Sequence, residues 1–200
     1  MHASMLNATF REQGYLPVQG FLEAPALGVL QSYAAIQFAN GRFVRDATFS
    51  RSLCLYGDPG FDAVLDSFTA RVGEIAGEPL APTYSYARIY GEGDVLERHT
   101  DRAACEVSVT VALKVPRALS ASVLRMKSRN AGEVAVSMQE GDGCVYSGID
   151  VEHWRDPLPV GGLTQLFLHY IRKAGPHYPR HRFDQRRQLG LPCVHGSEAS

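Results

Sequence analysis

Three residues of this 200-residue chain have the types and spacing to hold one ion. His99 and Asp101 stand two apart in RHTDR, and residues two apart on a strand point to the same face. Both can then grip a single metal. His153, in DVEHWR, follows far enough downstream for several strands to cross a barrel and return. Two histidines and one carboxylate form a facial set that leaves other positions on the ion open, the arrangement used for non-haem Fe(II) oxygen chemistry.

An H-x-D pair by itself is commonest as a solvated loop feature, so the elements around it matter. Tyr84 to Tyr90 (YSYARIY) reads as a strand, and Gly91-Glu92-Gly93-Asp94 as the turn after it. Cys105 to Leu113 alternates, with Val107, Val109 and Val111 on one face and Ser108 and Thr110 on the other. Gly141-Asp142-Gly143 is a turn, Cys144-Val145-Tyr146 a short strand, and Glu152 to Arg155 starts another. The candidate ligands thus fall at strand ends, where the mouth of a jelly roll would lie.

On these words the chain resembles the Fe(II)/2-oxoglutarate-dependent dioxygenases, and within them the prolyl-4-hydroxylase-like bacterial group. The matching stretches are YARIYGEGDVLERHTDRAACEVSVTVAL, EGDGCVYSGIDVEHWRDPL and LTQLFLHYI, about half of the chain, in the family's order. The resemblance implies a mainly β fold with flanking helices: a double-stranded β-helix, jelly-roll or cupin-like, with N-terminal helices packed outside. It implies His99, Asp101 and His153 as iron ligands, with 2-oxoglutarate and O2 as cosubstrates. Succinate and CO2 would leave as an unactivated C–H of an amino acid, peptide residue or natural-product intermediate is hydroxylated. Halogenating relatives carry a small residue where Asp101 stands, so Asp101 points to hydroxylation or a related oxidation.

One part of the family pattern is missing. The basic residue that meets the far carboxylate of 2-oxoglutarate usually lies on the last strand, where Leu163-Thr164-Gln165 stands here. A bidentate arginine suits that carboxylate. Arg155 shares a strand face with His153 and is the first substitute; Arg88, on the face of Tyr86 and Tyr90, is the second. Tyr90 resembles the tyrosine that hydrogen-bonds the cosubstrate, with Thr110 and Gln165 as helpers, and Arg88 and Tyr86 are expected at the prime substrate. Trp154 faces away from His153 and reads as packing. His169 reads as a satisfied core histidine, and His177, His181 and His195 as tail residues unsuited to ligation. The absent last-strand base keeps open a cupin-like metal oxygenase that does without 2-oxoglutarate. A non-catalytic β-helix binding module is the other alternative.

Composition bounds the rest. With 45% hydrophobic residues, residues 1–200 can bury one good core and read as one domain: helical support over 1–80, β-helix over 83–171 and an irregular basic tail over 172–200. The net charge of −1 draws the chain to neither nucleic acid nor membrane, leaving a small molecule or peptide as partner. Cys54, Cys105, Cys144 and Cys193 form no C-x-x-C pair, and no signal-like or membrane-length apolar run occurs, so a reduced, cytoplasmic protein is expected.

Residues 1–9 read as a frayed start, followed by a short helical turn from Phe10, a strand at Tyr15–Val18 and a turn at Gly20. Pro25 opens a helix that Asn40-Gly41 stops. Arg42 to Tyr56 reads as strand and loop around Phe43, Phe49, Leu53 and Leu55. Asp58-Pro59 opens a second helix, in which Phe61, Val64, Leu65, Phe68, Val72 and Ile75 make a stripe that Gly77 ends. Lys114 to Ala131 holds five Lys and Arg residues and reads as a solvated rim or an anionic-substrate contact. Glu133 to Met138 is an alternating strand. In the tail Phe183 and Leu189 are expected anchors, and its arginines hint at an acidic ligand.

Overall fold

A computed structural model describes residues 2–45 and 52–192; Phe49, Cys193 and His195 lie outside them. In chain order the elements are α1 (His2–Gln13), β1 (Tyr15–Val18), α2 (Ala24–Ala39), β2 (Val44–Arg45), β3 (Leu53–Tyr56), α3 (Pro59–Ala76), β4 (Leu80–Tyr90) and β5 (Leu96–His99). A 3-10 turn at Ala103–Cys105 leads to β6 (Val107–Lys114), β7 (Ser122–Ser128), β8 (Gly132–Met138), β9 (Gly143–Tyr146), β10 (His153–Arg155) and β11 (Leu163–Arg172). A seven-stranded sheet in the order β1-β9-β6-β11-β4-β3-β2 faces a four-stranded sheet in the order β5-β10-β7-β8. Every pairing described is antiparallel, and the two sheets make a double-stranded β-helix.

Alternation decides which side chains see the site. On β6, Val107, Val109, Val111 and Leu113 join the core with Leu166, Leu168 and Tyr170 of β11, and Phe61, Leu65 and Val72 of α3 cover that face. Their neighbours Ser108, Thr110, Gln165 and His169 therefore point between the sheets. A second core of Leu124, Met126, Val136, Met138, Cys144 and Tyr146 fills the interior beneath the ligands, with the Tyr146 ring packed on His153 at 4.7 Å. The α3 stripe packs as expected, with Asp58 capping the helix through the amides of Gly60 and Phe61 and Gly77 closing it at φ 77°.

Three regions differ from expectation. Residues 2–9 do not fray: they belong to α1, because Phe10 is buried in the main core and Asn7 donates to the Ile75 carbonyl of α3 at 3.2 Å. Within 1–80 the strands expected at Tyr15–Val18 and within Arg42–Tyr56 form as β1, β2 and β3 and extend the large sheet on both sides. Lys114 to Ala131 contains β7, whose Leu124 and Met126 turn inward. Arg125 pairs with Asp156, Lys127 with Glu152 and Arg129 with Asp150, so these cations form a solvated rim. The tail wraps as expected but is held chiefly by Arg186, fully buried against Asp62 of α3 and donating to the carbonyls of Gly57 and Thr83 at 3.1 Å. Its charge is met by an acid of the same chain. No helix among the described residues is long and apolar enough to cross a membrane.

Candidate metal centre

His99 ends β5 and His153 opens β10, and the two stand directly opposite in the ladder, with ring centroids 4.3 Å apart. Each ring is oriented by its own backbone: His99 Nδ1 lies 2.7 Å from the Glu97 carbonyl, and His153 Nδ1 lies 3.0 Å from that of Val151. A backbone acceptor keeps the proton on Nδ1 and leaves Nε2 as the bare ligand atom. Both Nε2 atoms face Asp101 Oδ1, at 3.6 Å from His99 and 3.5 Å from His153.

Asp101 is not on the strand, contrary to the same-face argument. β5 stops at His99, and Asp101 is placed by its amide, which donates to the Gly148 carbonyl at 2.8 Å. Ser108 donates to Asp101 Oδ2 at 3.0 Å. A Cβ at residue 148 would collide with Asp101 Oδ2 and the Cys105 carbonyl, so only glycine leaves room for the carboxylate. Burial pushes the Asp101 carboxyl up, but contact with His153 and His99 more than offsets it and holds the group far below the usual range. The His99 pKa is raised, first by its contact with Asp101.

The donor set fits a divalent transition ion. The three ligand atoms lie within 4.8 Å of one another. Two atoms each ~2.1 Å from one ion sit ~3.0–3.4 Å apart at 90–109°, close to the observed separations. The distances of 3.5 and 3.6 Å are too long for hydrogen bonds. A cavity of about 160 Å³ adjoins the three, lined by Tyr84, Tyr86, Arg88, Tyr146, Phe167 and His169 among others. The larger hollow of about 690 Å³, between α3 and the tail, contains none of these groups.

The remaining expected residues form a second polar layer. Arg155 is buried, and its guanidinium meets only neutral oxygens: Nη1 donates to Ser122 Oγ at 3.0 Å and to the Val123 carbonyl at 2.6 Å. Arg155 Nε and Nη2 and the buried Tyr90 hydroxyl have no hydrogen-bond partner among the described residues. Arg155 and Arg88 both stack on the Tyr90 ring, at 5.3 and 5.4 Å from its centroid. Thr110 donates to Gln165 and Gln165 to Ser122, each at 2.7 Å, so this chain of bonds ends on Arg155. Arg88 donates to the Tyr86 hydroxyl at 3.1 Å and lines the cavity, which Arg155 and Tyr90 do not. Leu163 is buried with Tyr90 and Leu158 and leaves its strand end without a base. Trp154 sits on the outer face, under Arg98 at 4.4 Å.

His169 lines the cavity, a placement the sequence reading missed. Its Nδ1 is 2.9 Å from Ser108 Oγ, and burial lowers its pKa to about 4. With the Ser108 proton on Asp101, that oxygen accepts from Nδ1–H, and a neutral imidazole remains. The signal was available: His169 is four residues after Gln165 on one strand, hence on the same face.

No family profile and no curated protein matches the sequence. Solved structures match its fold. A prolyl-4-hydroxylase from Pseudomonas putida has a TM-score of 0.69 at 19% identity, over 86% of this chain and 100% of that one. The epimerase SnoN, solved with Fe3+, alpha ketoglutarate and nogalamycin RO, has a TM-score of 0.69 at 17% identity, over 86% and 84%. A prolyl hydroxylase from Trichoplax adhaerens, in complex with a hypoxia inducible factor peptide fragment, has a TM-score of 0.66 at 14% identity, over 84% and 89%. The fold is that of the 2-oxoglutarate/Fe(II) oxygenases.

Proposed function

We propose that this protein is an Fe(II)- and 2-oxoglutarate-dependent oxygenase that hydroxylates an unactivated C–H of a small molecule or peptide. One observation carries the reading: His99 Nε2, Asp101 Oδ1 and His153 Nε2 converge, each oriented by the backbone or by Ser108, beside a cavity at one end of the sandwich. Fe(II) on these ligands would supply the oxygen chemistry, with 2-oxoglutarate as the electron source that leaves as succinate and CO2. Asp101 occupies the ligand position that a halogenase would leave free, which favours oxygen transfer to the substrate.

The chain's own residues bind and orient. Arg155 anchors the far carboxylate of 2-oxoglutarate through Nε and Nη2, and Tyr90 donates its hydroxyl to the same molecule. These unpaired buried donors support the assignment, since such groups are costly without an acceptor. Thr110 and Gln165 hold Arg155 through Ser122. Tyr86 and Arg88 face the prime substrate, and Tyr84, Phe167 and His169 shield the ligands from water. A second reading of the anchor is Arg88, because it lines the cavity.

Succinate formation from 2-oxoglutarate tests the proposal. Purified protein with Fe(II), ascorbate and O2 should release succinate, more so with a substrate found in an amino-acid and peptide panel. His153→Ala should release none. Succinate release by His153→Ala at the wild-type rate would refute the assignment.

A further inference from the structure

We propose that Asp184, in the C-terminal tail, is a positioning residue for the candidate metal centre and acts through Arg102; this rests on the metal reading above. Residues 100–102 belong to no strand, so no ladder fixes the backbone that carries Asp101. Contacts on its two sides do so instead. On one side the Asp101 amide reaches Gly148 and its carboxylate reaches Ser108. On the other, Arg102 turns outward and gives Asp184 a two-pronged bond, at 2.6 and 2.7 Å.

The pair is built on the receiving side. The Asp184 side chain is 3% exposed against 48% for Arg102. Burial would raise the Asp184 carboxyl, but hydrogen bonds from Arg102 and Tyr56 hold it below its ordinary value. The Tyr56 hydroxyl donates to Asp184 at 2.6 Å, and its ring stacks on Tyr84 at 4.9 Å. Arg102 covers the same Tyr84 ring at 4.7 Å, and Tyr84 leans on His169 at 4.5 Å. One carboxylate, 82 residues downstream, thus fixes the residue beside a ligand and one wall of the cavity.

The backbone is committed to this placement. Phe183 and Asp184 both adopt left-handed conformations, at φ 61° and 56°, which a bulky L-residue such as Phe183 rarely takes. The Phe183 amide donates to the Pro82 carbonyl at 3.3 Å, and the Arg186–Asp62 pair locks the next turn. A group bonded directly to a ligand is worth ~10–100-fold in metal affinity; Asp184 acts one residue away, through Arg102, and belongs at the low end of that range.

Cobalt(II) titrated into the metal-free full-length protein tests this, read by calorimetry and by the visible absorption of the bound ion. Arg102→Gln and Asp184→Asn should each weaken Co(II) binding about 10-fold and alter its absorption. The double variant should bind no worse than the weaker single, because both remove one contact. Arg102→Gln leaves Asp184 its Tyr56 hydroxyl but no counter-ion, so its thermal midpoint should fall; Co(II) binding is read well below that midpoint, and Arg102→Gln alone decides the matter if Asp184→Asn does not fold. Unchanged Co(II) affinity in Arg102→Gln, or losses that add in the double variant, would overturn the proposal. A wild type that binds no Co(II), or a His153→Ala protein that binds it as well, would remove the metal reading and this inference with it. Wild-type binding through His153 with equal binding in the Arg102 and Asp184 variants would remove the positioning role alone.

Discussion

Replacing Arg155 with leucine separates affinity for 2-oxoglutarate from stability of the fold. Arg155 is 2% exposed, and two of its nitrogens lack partners among the described residues, where its buried charge meets only neutral oxygens. In the cosubstrate complex that charge meets a carboxylate in a desolvated site. Truncating one member of such a pair costs ~2–5 kcal/mol. At ~1.4 kcal/mol per decade, binding of 2-oxoglutarate should weaken from ~30-fold to several thousand-fold. Without cosubstrate the reverse economy holds. Removing a buried charge that has no counter-ion for a similar-sized apolar group is often neutral or stabilising, so the thermal midpoint of the ligand-free variant should stay level or rise. Calorimetry with Ni(II)-loaded protein reads the affinity. Thermal melts with and without 2-oxoglutarate read the linkage, which at 100 times Kd is worth ~2.7 kcal/mol in the wild type. Arg155→Leu should show ~0.9 kcal/mol or less at the same concentration while binding Ni(II) normally. If Arg155→Leu keeps its cosubstrate affinity and Arg88→Leu loses it, the anchor is Arg88 and the reasoning from unpaired donors is wrong.

Three further outcomes follow from the geometry. Gly148→Ala should displace Asp101 through its clash with Oδ2 and the Cys105 carbonyl; it should lower bound iron by elemental analysis far more than it lowers the unfolding midpoint in urea. Asp62→Ala leaves the Arg186 cation buried and unpaired, a loss of ~3–5 kcal/mol, measurable as a fall in the urea midpoint with little change in slope. The raised pKa of His99 sets the pH dependence: a proton competes with the metal below it, so Ni(II) affinity should fall by about a decade per pH unit there. Metal-free stability runs the other way, since a His99 pKa raised above its unfolded value stabilises below that value and ceases to as pH rises through the folded pKa. Melts with a chelator and Ni(II) titrations over pH 5–9 check both signs.

The fold could be read where alternation and caps were strong. Tyr84 to Tyr90, Cys105 to Leu113 and the α3 stripe each carried their period in plain view. Lys114 to Ala131 reads as a charged rim because Arg125 and Lys127 alternate with Leu124 and Met126, the inward pair that builds β7. Of the N-terminal helix only the turn from Phe10 was legible locally; the turns before it hold because Phe10 finds a core made by distant strands. The same division holds at the site. His99, Asp101 and His153 stood out by type and spacing, while the placement of Asp101 depends on Gly148 and Ser108, which no local pattern connects to it. Asp184 and Arg102 meet across the fold and leave no periodic trace.

Dependence of 2-oxoglutarate binding on the metal tests the central claim most directly. Calorimetric titration of 2-oxoglutarate into Ni(II)-loaded wild-type protein should give one-to-one binding, and into metal-free protein or Ni(II)-treated His153→Ala almost none. Equal binding with and without metal, or no binding to the loaded wild type, would contradict the account.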